Sequence, residues 1–215
     1  MLLAVEGIAG SGKSTLRDRL LDTATQEGIF LGHIGQFSWL SLESTRIVIA
    51  LRAGRTPVSE ETALTAVYHD LILHARYNLT PARACGHVVA DRLTLSTACL
   101  LALLYHSQVE RYLELLITVD VARPELTVLL NTPAELCMDR VRMRTTERRF
   151  GEDPHTAARL AEMYEQAADA WEKLTGQLVL RRRAMTPRDT DRSVDEAIAY
   201  LRHTAVSTIG TDLGA

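Results

Sequence analysis

The chain has 215 residues, 47% of them hydrophobic, and a net charge of -3 at pH 7. That length suits one α/β domain with a substantial core, and the near-neutral charge excludes a broadly basic nucleic-acid surface. No apolar run is long enough to span a membrane, and the first residues lack the basic region of a secretory signal, so a cytoplasmic protein is expected. Cys85, Cys99 and Cys137 show no CxxC spacing and read as buried thiols in a reducing compartment.

A short apolar strand over residues 1–5 opens the chain, and a helix with Leu16, Leu20 and Leu21 on one face runs from Lys13 to about Glu27. Between them lies Gly7-Ile8-Ala9-Gly10-Ser11-Gly12-Lys13-Ser14-Thr15, which matches GxxxxGK[ST] in the strand–loop–helix context where that motif binds phosphate. Its glycines let the backbone turn N–H groups inward as an anion nest at a helix N-terminus. Lys13 can reach the β- and γ-phosphates, and the Ser14 hydroxyl can ligate Mg²⁺. Lysine occurs only at positions 13 and 173, every other basic residue being arginine. One lysine is kept where a compact ammonium suits and a guanidinium fork does not.

A strand and turn follow over 29–35, then a loop with Gln36, Phe37 and Trp39. Phe37 and Trp39 read either as a stacking surface or as loop core. Ser41 caps a helix to about Ala53, and Ser59 caps a long helix expected to pass Asp70 and Arg76 and to break or kink at Pro81. His87-Val88-Val89-Ala90 is a buried strand ending at Asp91-Arg92, followed by apolar helices over 97–105 and 109–117. Another strand spans 126–131. Thr132-Pro133-Ala134-Glu135 then reads as a capping box opening a helix to about Arg144. Asp153-Pro154 starts a long helix that ends before Gly176, and 178–180 is the last strand. Ser193-Val194-Asp195-Glu196 reads as a second capping box, for a helix to about Arg202. Strands alternating with helices predict a doubly wound parallel sheet with helices on both faces. Its ligand crevice should lie beyond the carboxyl ends of the strands, where the phosphate loop and Asp91-Arg92 meet.

Asp91 has two chemical readings: it holds Mg²⁺ through water, or it accepts a proton from an attacking oxygen. Arg92 offers a fork for an anionic acceptor, and a plain strand-terminal ion pair is the alternative for both residues. Arg140, Arg142, Arg144, Arg148 and Arg149 fall within ten residues, across a helix end and the loop before Asp153. They read as a basic lid closing over phosphates, or as a solvated helix C-terminus. None of the histidines has metal-ligand spacing.

Together these motifs resemble the thymidylate kinase family and its relatives among nucleotide and nucleoside kinases. The loop over 7–15 is similar to the family's first motif, and Asp91-Arg92 with Ser96 to its strand-terminal Asp-Arg…Ser motif. Residues 124–133 look like the segment before the lid helix, Glu147-Arg148-Arg149-Phe150 like the lid, and Thr190-Asp191-Arg192-Ser193 like the adenine-side loop. The resemblance implies one P-loop kinase domain over 1–203 with a lid over about 144–153, a flexible tail over 204–215, and ATP and Mg²⁺ as cofactors. It also implies a small nucleotide or nucleoside acceptor, with no nucleic-acid polymer or membrane as partner and a homodimer as a plausible assembly. On the donor side it implies Gly7, Ala9, Gly10, Ser11, Gly12, Lys13, Ser14, Thr15, Arg140 and Asp191; on the acceptor side, Gln36, Phe37, Trp39, Asp70, Arg92 and Ser96. Catalysis falls to Lys13, Asp91, Arg92, Arg144, Arg148 and Arg149, and metal binding to Ser14 and Asp91.

Three departures concern the acceptor. Gln36-Phe37-Ser38-Trp39 replaces the family's Arg-Glu-Pro-Gly-Gly-Thr loop, Ala9 replaces a carboxylate, and Asp70 falls where the family has a base-reading arginine. Exchanging a donor for an acceptor there would reject a thymine carbonyl and favour an exocyclic amino group such as that of cytosine; a solvent-facing helix aspartate is the alternative. The expected reaction is γ-phosphoryl transfer from ATP to a pyrimidine (deoxy)nucleoside monophosphate. The competing readings are a nucleoside kinase, a small-molecule kinase of secondary metabolism and a regulatory ATPase.

Overall fold

In the computed structural model, which describes residues 1–145 and 147–209, five strands form one sheet: β1 (Leu2–Glu6), β2 (Leu31–Ile34), β3 (His87–Asp91), β4 (Leu126–Leu130) and β5 (Leu178–Arg182). Their order is β2-β3-β1-β4-β5 and every pairing is parallel, which is the expected doubly wound arrangement. The chain winds helices between them: α1 (Lys13–Gln26), α2 (Leu42–Arg52), α3 (Glu60–His74), α4 (Thr80–Cys85), α5 (Thr94–Tyr105), α6 (Val109–Leu116), α7 (Ala134–Arg142), α8 (Pro154–Thr175) and α9 (Pro187–Ile209).

The central strands are apolar at nearly every position because both sheet faces are covered. Leu3, Val5, Val89, Leu126 and Val128 pack against α1 and α9, whereas Leu2, Ala4, Val88 and Ala90 face the larger core built from α2, α3, α5 and α8. α5 is buried almost all round, which accounts for its unbroken apolar sequence. Leu101 and Leu116 belong to this core. Among the described residues, no helix is long and apolar enough to cross a membrane.

Local expectations met different fates. Ser41, Ser59 and Asp153 cap α2, α3 and α8 through their side-chain oxygens. At Pro81 the chain neither breaks nor leaves the helix. Ala75–Leu79 winds as one wide π turn, and the Thr80 hydroxyl donates to the Ala75 carbonyl at 2.8 Å, so the missing proline N–H is absorbed. The two proposed capping boxes do not form. Thr132 donates instead to the Ser11 carbonyl at 3.1 Å and accepts from Ala184 N at 3.0 Å, leaving α7 without a side-chain cap. Ser193 lies inside α9 and donates to the Asp189 carbonyl. The box that does form is Thr186–Asp189, with Pro187 following Thr186: Asp189 accepts from Thr186 N at 2.8 Å, and Thr186 Oγ1 accepts from Asp189 N at 3.4 Å. α9 continues to Ile209, past the expected end near Arg202, so the proposed tail is helical in its first part; residues 210–215 lie outside the described residues. Cys99 and Cys137 are buried as expected, but Cys85 is exposed at the end of α4.

Candidate active site

The loop after β1 sits at the switch point of the sheet, between β3 and β4. Two of its glycines are required by shape. Gly10 holds a φ of 80° with its α-carbon against the Cys137 backbone of α7, and Gly12 holds a φ of 105° as the residue before α1. A Gly10→Ala variant meets both the positive φ and a backbone carbonyl that cannot move aside. We expect it to lose about 1–3 kcal/mol of stability together with most ATP affinity, checked by urea unfolding and by nucleotide titration.

The loop lines a cavity of about 690 Å³. Lys13, Arg19, Arg52, Arg92, Arg140, Arg144 and Arg149 contribute seven cations to its wall, against the two carboxylates Asp91 and Glu152. Such a site suits a polyanion. Lys13 is buried; its ammonium donates to the Ile8 carbonyl at 2.6 Å, and burial followed by the nearby Arg92 pushes its pKa well below the usual lysine value. Gly10, Gly12, Ser14 and Thr15 line the same cavity, with both hydroxyl residues exposed, while Ser11 is buried beneath them. Arg140 ties the loop to the segment before α9, donating to Gly10 O at 3.3 Å and to Ala184 O at 2.6 Å. The β5–α9 connection, Ala184 to Pro187, forms the wall beyond it with Thr190.

Asp91 and Arg92 end β3 beside this loop, Asp91 in register with Val5 of β1. Asp91 Oδ2 accepts from Arg17 Nη1 at 2.6 Å, and both Asp91 and Arg92 line the cavity. Arg92 has a left-handed backbone (φ 69°), a strained conformation held by its N–H bond to Val5 O at 3.0 Å. Its Nη1 donates to Gly7 O at 2.8 Å, Ser96 Oγ at 3.0 Å and Tyr164 OH at 2.7 Å. Behind it Glu6 is fully buried, accepting from Leu93 N at 2.8 Å and from the Ser96 hydroxyl. Burial raises the Glu6 carboxyl, and Ser96 and Arg92 oppose that rise. Neither Glu6, Arg17 nor Tyr164 stood out in the sequence, because nothing local marks a residue whose partners lie on other elements.

A second cavity of about 170 Å³ opens off the first, and Ala9, Gln36, Arg52, Arg92, Arg149 and Glu152 line both. Ser96, Leu100, Phe150, Leu160 and Tyr164 are among the residues that line only the smaller one. Phe37 is buried and Trp39 is 45% exposed, and both line the larger cavity; their rings meet edge to face at 5.5 Å. The Arg52 guanidinium lies over both rings, 5.6 Å from the Trp39 ring and 6.0 Å from Phe37. Burial, Arg149 and Arg92 lower its pKa, so three cations crowd one wall. Arg52 was overlooked in the sequence because it sits in the last turn of α2, where an arginine is unremarkable.

The remaining candidate residues are placed less directly. Asp70 is a correction on both readings, since it neither faces solvent nor lines the cavity. It is buried, and its carboxylate accepts from Ser38 N at 2.9 Å and from the Ser38 hydroxyl at 2.6 Å. Residues 190–193 are not a loop but part of α9, and Asp191 pairs there with Arg19. In the lid, Arg144 and Arg149 reach the cavity, with Arg144 on Glu152 at 3.4 Å, whereas Arg148 is exposed and is not among the cavity-lining residues. Phe150 packs its ring over Gly54, docking the lid on the end of α2. Among the described residues there is no cluster of three histidine, cysteine or carboxylate side chains that could hold a metal. The exposed Ser14 hydroxyl and Asp91 are oxygen donors on one cavity wall, which fits Mg²⁺ if phosphate and water supply its other ligands.

Comparison with known proteins agrees with this geometry. The family model described as thymidylate kinase matches residues 5–176. A probable thymidylate kinase of Archaeoglobus fulgidus is 28% identical over 148 residues, covering 67% of this chain and 70% of its own length. The thymidylate kinase of Pseudomonas fluorescens is 29% identical over 157 residues, covering 70% and 72%. With a match over most of its length and a cationic cavity lined largely by the matched residues, the chain belongs to the thymidylate kinase family of ATP-dependent nucleotide kinases.

Proposed function

We propose that the chain transfers the γ-phosphoryl group of ATP to a pyrimidine nucleoside monophosphate held in the smaller cavity. The observation that carries this reading is the wall shared by the two cavities, where Arg52, Arg92 and Arg149 converge. Glu152 is the one carboxylate lining both cavities, so an acceptor phosphate would offset the remaining excess of positive charge, whereas a neutral nucleoside hydroxyl would not. The pyrimidine base is carried over from the relatives named thymidylate kinase. Gln36, on both walls, has its Nε2 donating to Thr97 Oγ1 at 3.0 Å and offers its amide oxygen to the base edge.

In this mechanism the loop amides and Lys13 hold the β- and γ-phosphates, with Arg140 and Thr190 on the side toward the nucleoside of ATP. Ser14, with Asp91 through water, would hold Mg²⁺, which would supply positive charge against the triphosphate. Arg52 and Arg92 aim the acceptor phosphate, one oxygen of which forms the new bond to γ-phosphorus while the bond to the β-phosphate oxygen breaks and ADP leaves. Phosphate monoesters have a second pKa of about 6, so the attacking oxygen is already ionised and no general base is required. Asp91, tied to Arg17, therefore serves to orient and to hold metal rather than to take a proton. Arg144 and Arg149 stabilise charge on the transferring group, and catalysis is positioning plus electrostatics.

An acceptor panel with ATP and Mg²⁺ tests this directly. Pyrimidine monophosphates should drive ADP release, while the corresponding nucleosides and a no-acceptor control should not. Arg52→Ala should raise the monophosphate KM about tenfold or more, as for loss of a charge-assisted contact. Release driven by nucleosides would favour a sugar-hydroxyl kinase, and acceptor-independent release a regulatory ATPase.

A further inference from the structure

We propose that Asp70 is a positioning residue that sets acceptor affinity through the loop containing Trp39, without touching the acceptor. This rests on the acceptor-site reading above.

The loop between β2 and α2 has little regular structure of its own. Its backbone is held from behind by α3. Asp70 takes Ser38 N on one carboxylate oxygen at 2.9 Å, and both the Ser38 hydroxyl (2.6 Å) and Trp39 N (3.3 Å) on the other. Ser38 Oγ in turn accepts from Leu40 N at 3.2 Å. One helical turn further on, on the same face of α3, buried His74 bonds the Gly35 carbonyl through Nε2 at 3.0 Å. Three successive amides are thus satisfied by one buried carboxylate and the serine it holds, a nest whose anion comes from the protein itself.

The consequence appears at Trp39. Its φ is 59°, a conformation that disfavours any residue with a side chain and a bulky one most. The bonds to Asp70 hold it there. In that conformation the indole lies on the cavity wall, edge to face with Phe37 and against the Arg52 guanidinium. Arg52 is one of the three cations on the shared wall, and stacking against two rings restricts where its charged fork can point. The physical chain runs from Asp70 through the Ser38–Trp39 turn and the indole to Arg52. A carboxylate in α3 therefore governs an arginine in α2.

Asp70→Asn keeps the volume but turns one acceptor into a donor facing a loop N–H or hydroxyl. We expect the acceptor KM to rise about tenfold, as for loss of one charge-assisted hydrogen bond, with kcat and the KM for ATP nearly unchanged. Trp39→Gly, which suits the left-handed backbone but removes the stack, should raise the same KM. The double variant should be no worse than either single one, because both act through one path. The chain has two tryptophans and Trp171 is fully buried, so acrylamide quenching reports Trp39; Asp70→Asn should change it. If Asp70→Asn fails to fold, Ser38→Ala, which removes the hydroxyl's bonds to Asp70 and Leu40 N but leaves the carboxylate its two loop amides, should show a smaller rise of the same kind. Additive effects, equal changes in both KM values, or an unchanged acceptor KM would overturn the proposal. Arg52→Ala separates the two levels. If it raises the acceptor KM while Asp70→Asn and Ser38→Ala do not, only the positioning role falls; if it leaves that KM alone, the acceptor-site reading itself has failed.

Discussion

Lys13→Ala is expected to lower kcat/KM for ATP by about 10²–10³-fold or more, the scale of losing one preorganised charge from a transition-state site. Its ammonium is the loop's one side-chain cation at the point where β1 becomes α1, and it is buried beside Arg92. Burial and that like charge push its pKa well down, so the charged form is costly until a phosphate supplies the opposite charge. The same reasoning gives a second, less obvious outcome. Without nucleotide, the alanine variant should melt no lower than the wild type, because removing a desolvated ammonium offsets the loss of its bond to the Ile8 carbonyl. Single-turnover phosphoryl transfer and thermal melts check the two halves. Retained turnover would remove the first premise of the mechanism; a large drop in melting temperature would make Lys13 a structural residue.

Arg92→Met should be damaging twice over. It removes a cation that lines both cavities and is proposed to hold the acceptor phosphate, costing about 10²–10³-fold in kcat/KM. It also removes the donor shared by Gly7 O, Ser96 and Tyr164, for about 3–5 kcal/mol of stability, as when one partner of a buried charged network is deleted. The pH dependence identifies the cause. Glu6 binds its proton more tightly in the folded chain than in the unfolded one, chiefly because it is buried. Its contribution to stability is therefore fully present below the ordinary carboxylate pKa and is lost as pH rises through the raised folded value. Arg92 opposes that rise, so without it the folded value climbs further. The stability deficit of Arg92→Met should be smallest in acid, where Glu6 is protonated and only the bonds to Gly7 O, Ser96 and Tyr164 are lost, and should grow as pH rises through that window. Urea unfolding of both proteins across the range measures it. A deficit independent of pH would show that packing around Tyr164 and Ser96, not the Glu6–Arg92 interaction, carries the effect.

The parts legible in the sequence were those whose chemistry is local. The phosphate loop announces itself because shape requires glycine at Gly10 and Gly12, and because Lys13-Ser14 must follow within the first turn of α1. The central strands β1, β3 and β4 were legible because a parallel sheet covered on both faces writes short, continuous apolar runs bounded by turns. Ser41 and Ser59 were read correctly as caps, and Asp153-Pro154 as a helix start, since Ser41, Ser59 and Asp153 each bond an amide three residues on.

Where a polar side chain had a choice of partners, only the tertiary structure decided. Thr132 carries the pattern of a cap yet bonds Ser11 and Ala184, since β1, β4 and β5 converge on it. Asp70 resembled either a base reader or a surface charge, and became the anion at the centre of a turn more than thirty residues earlier. Arg52 was an ordinary helix end until α2 and the loop before it brought Phe37 and Trp39 against its guanidinium. The donor half of the site was thus written in consecutive residues, because backbone amides at a helix start bind phosphate wherever they occur. The half proposed for the acceptor was not. Its residues come from α2, β3, the loop before α2 and the segment before α8, with α3 behind them, and a hydrogen bond or cation–π contact between distant residues leaves no periodicity or spacing from which it could be read.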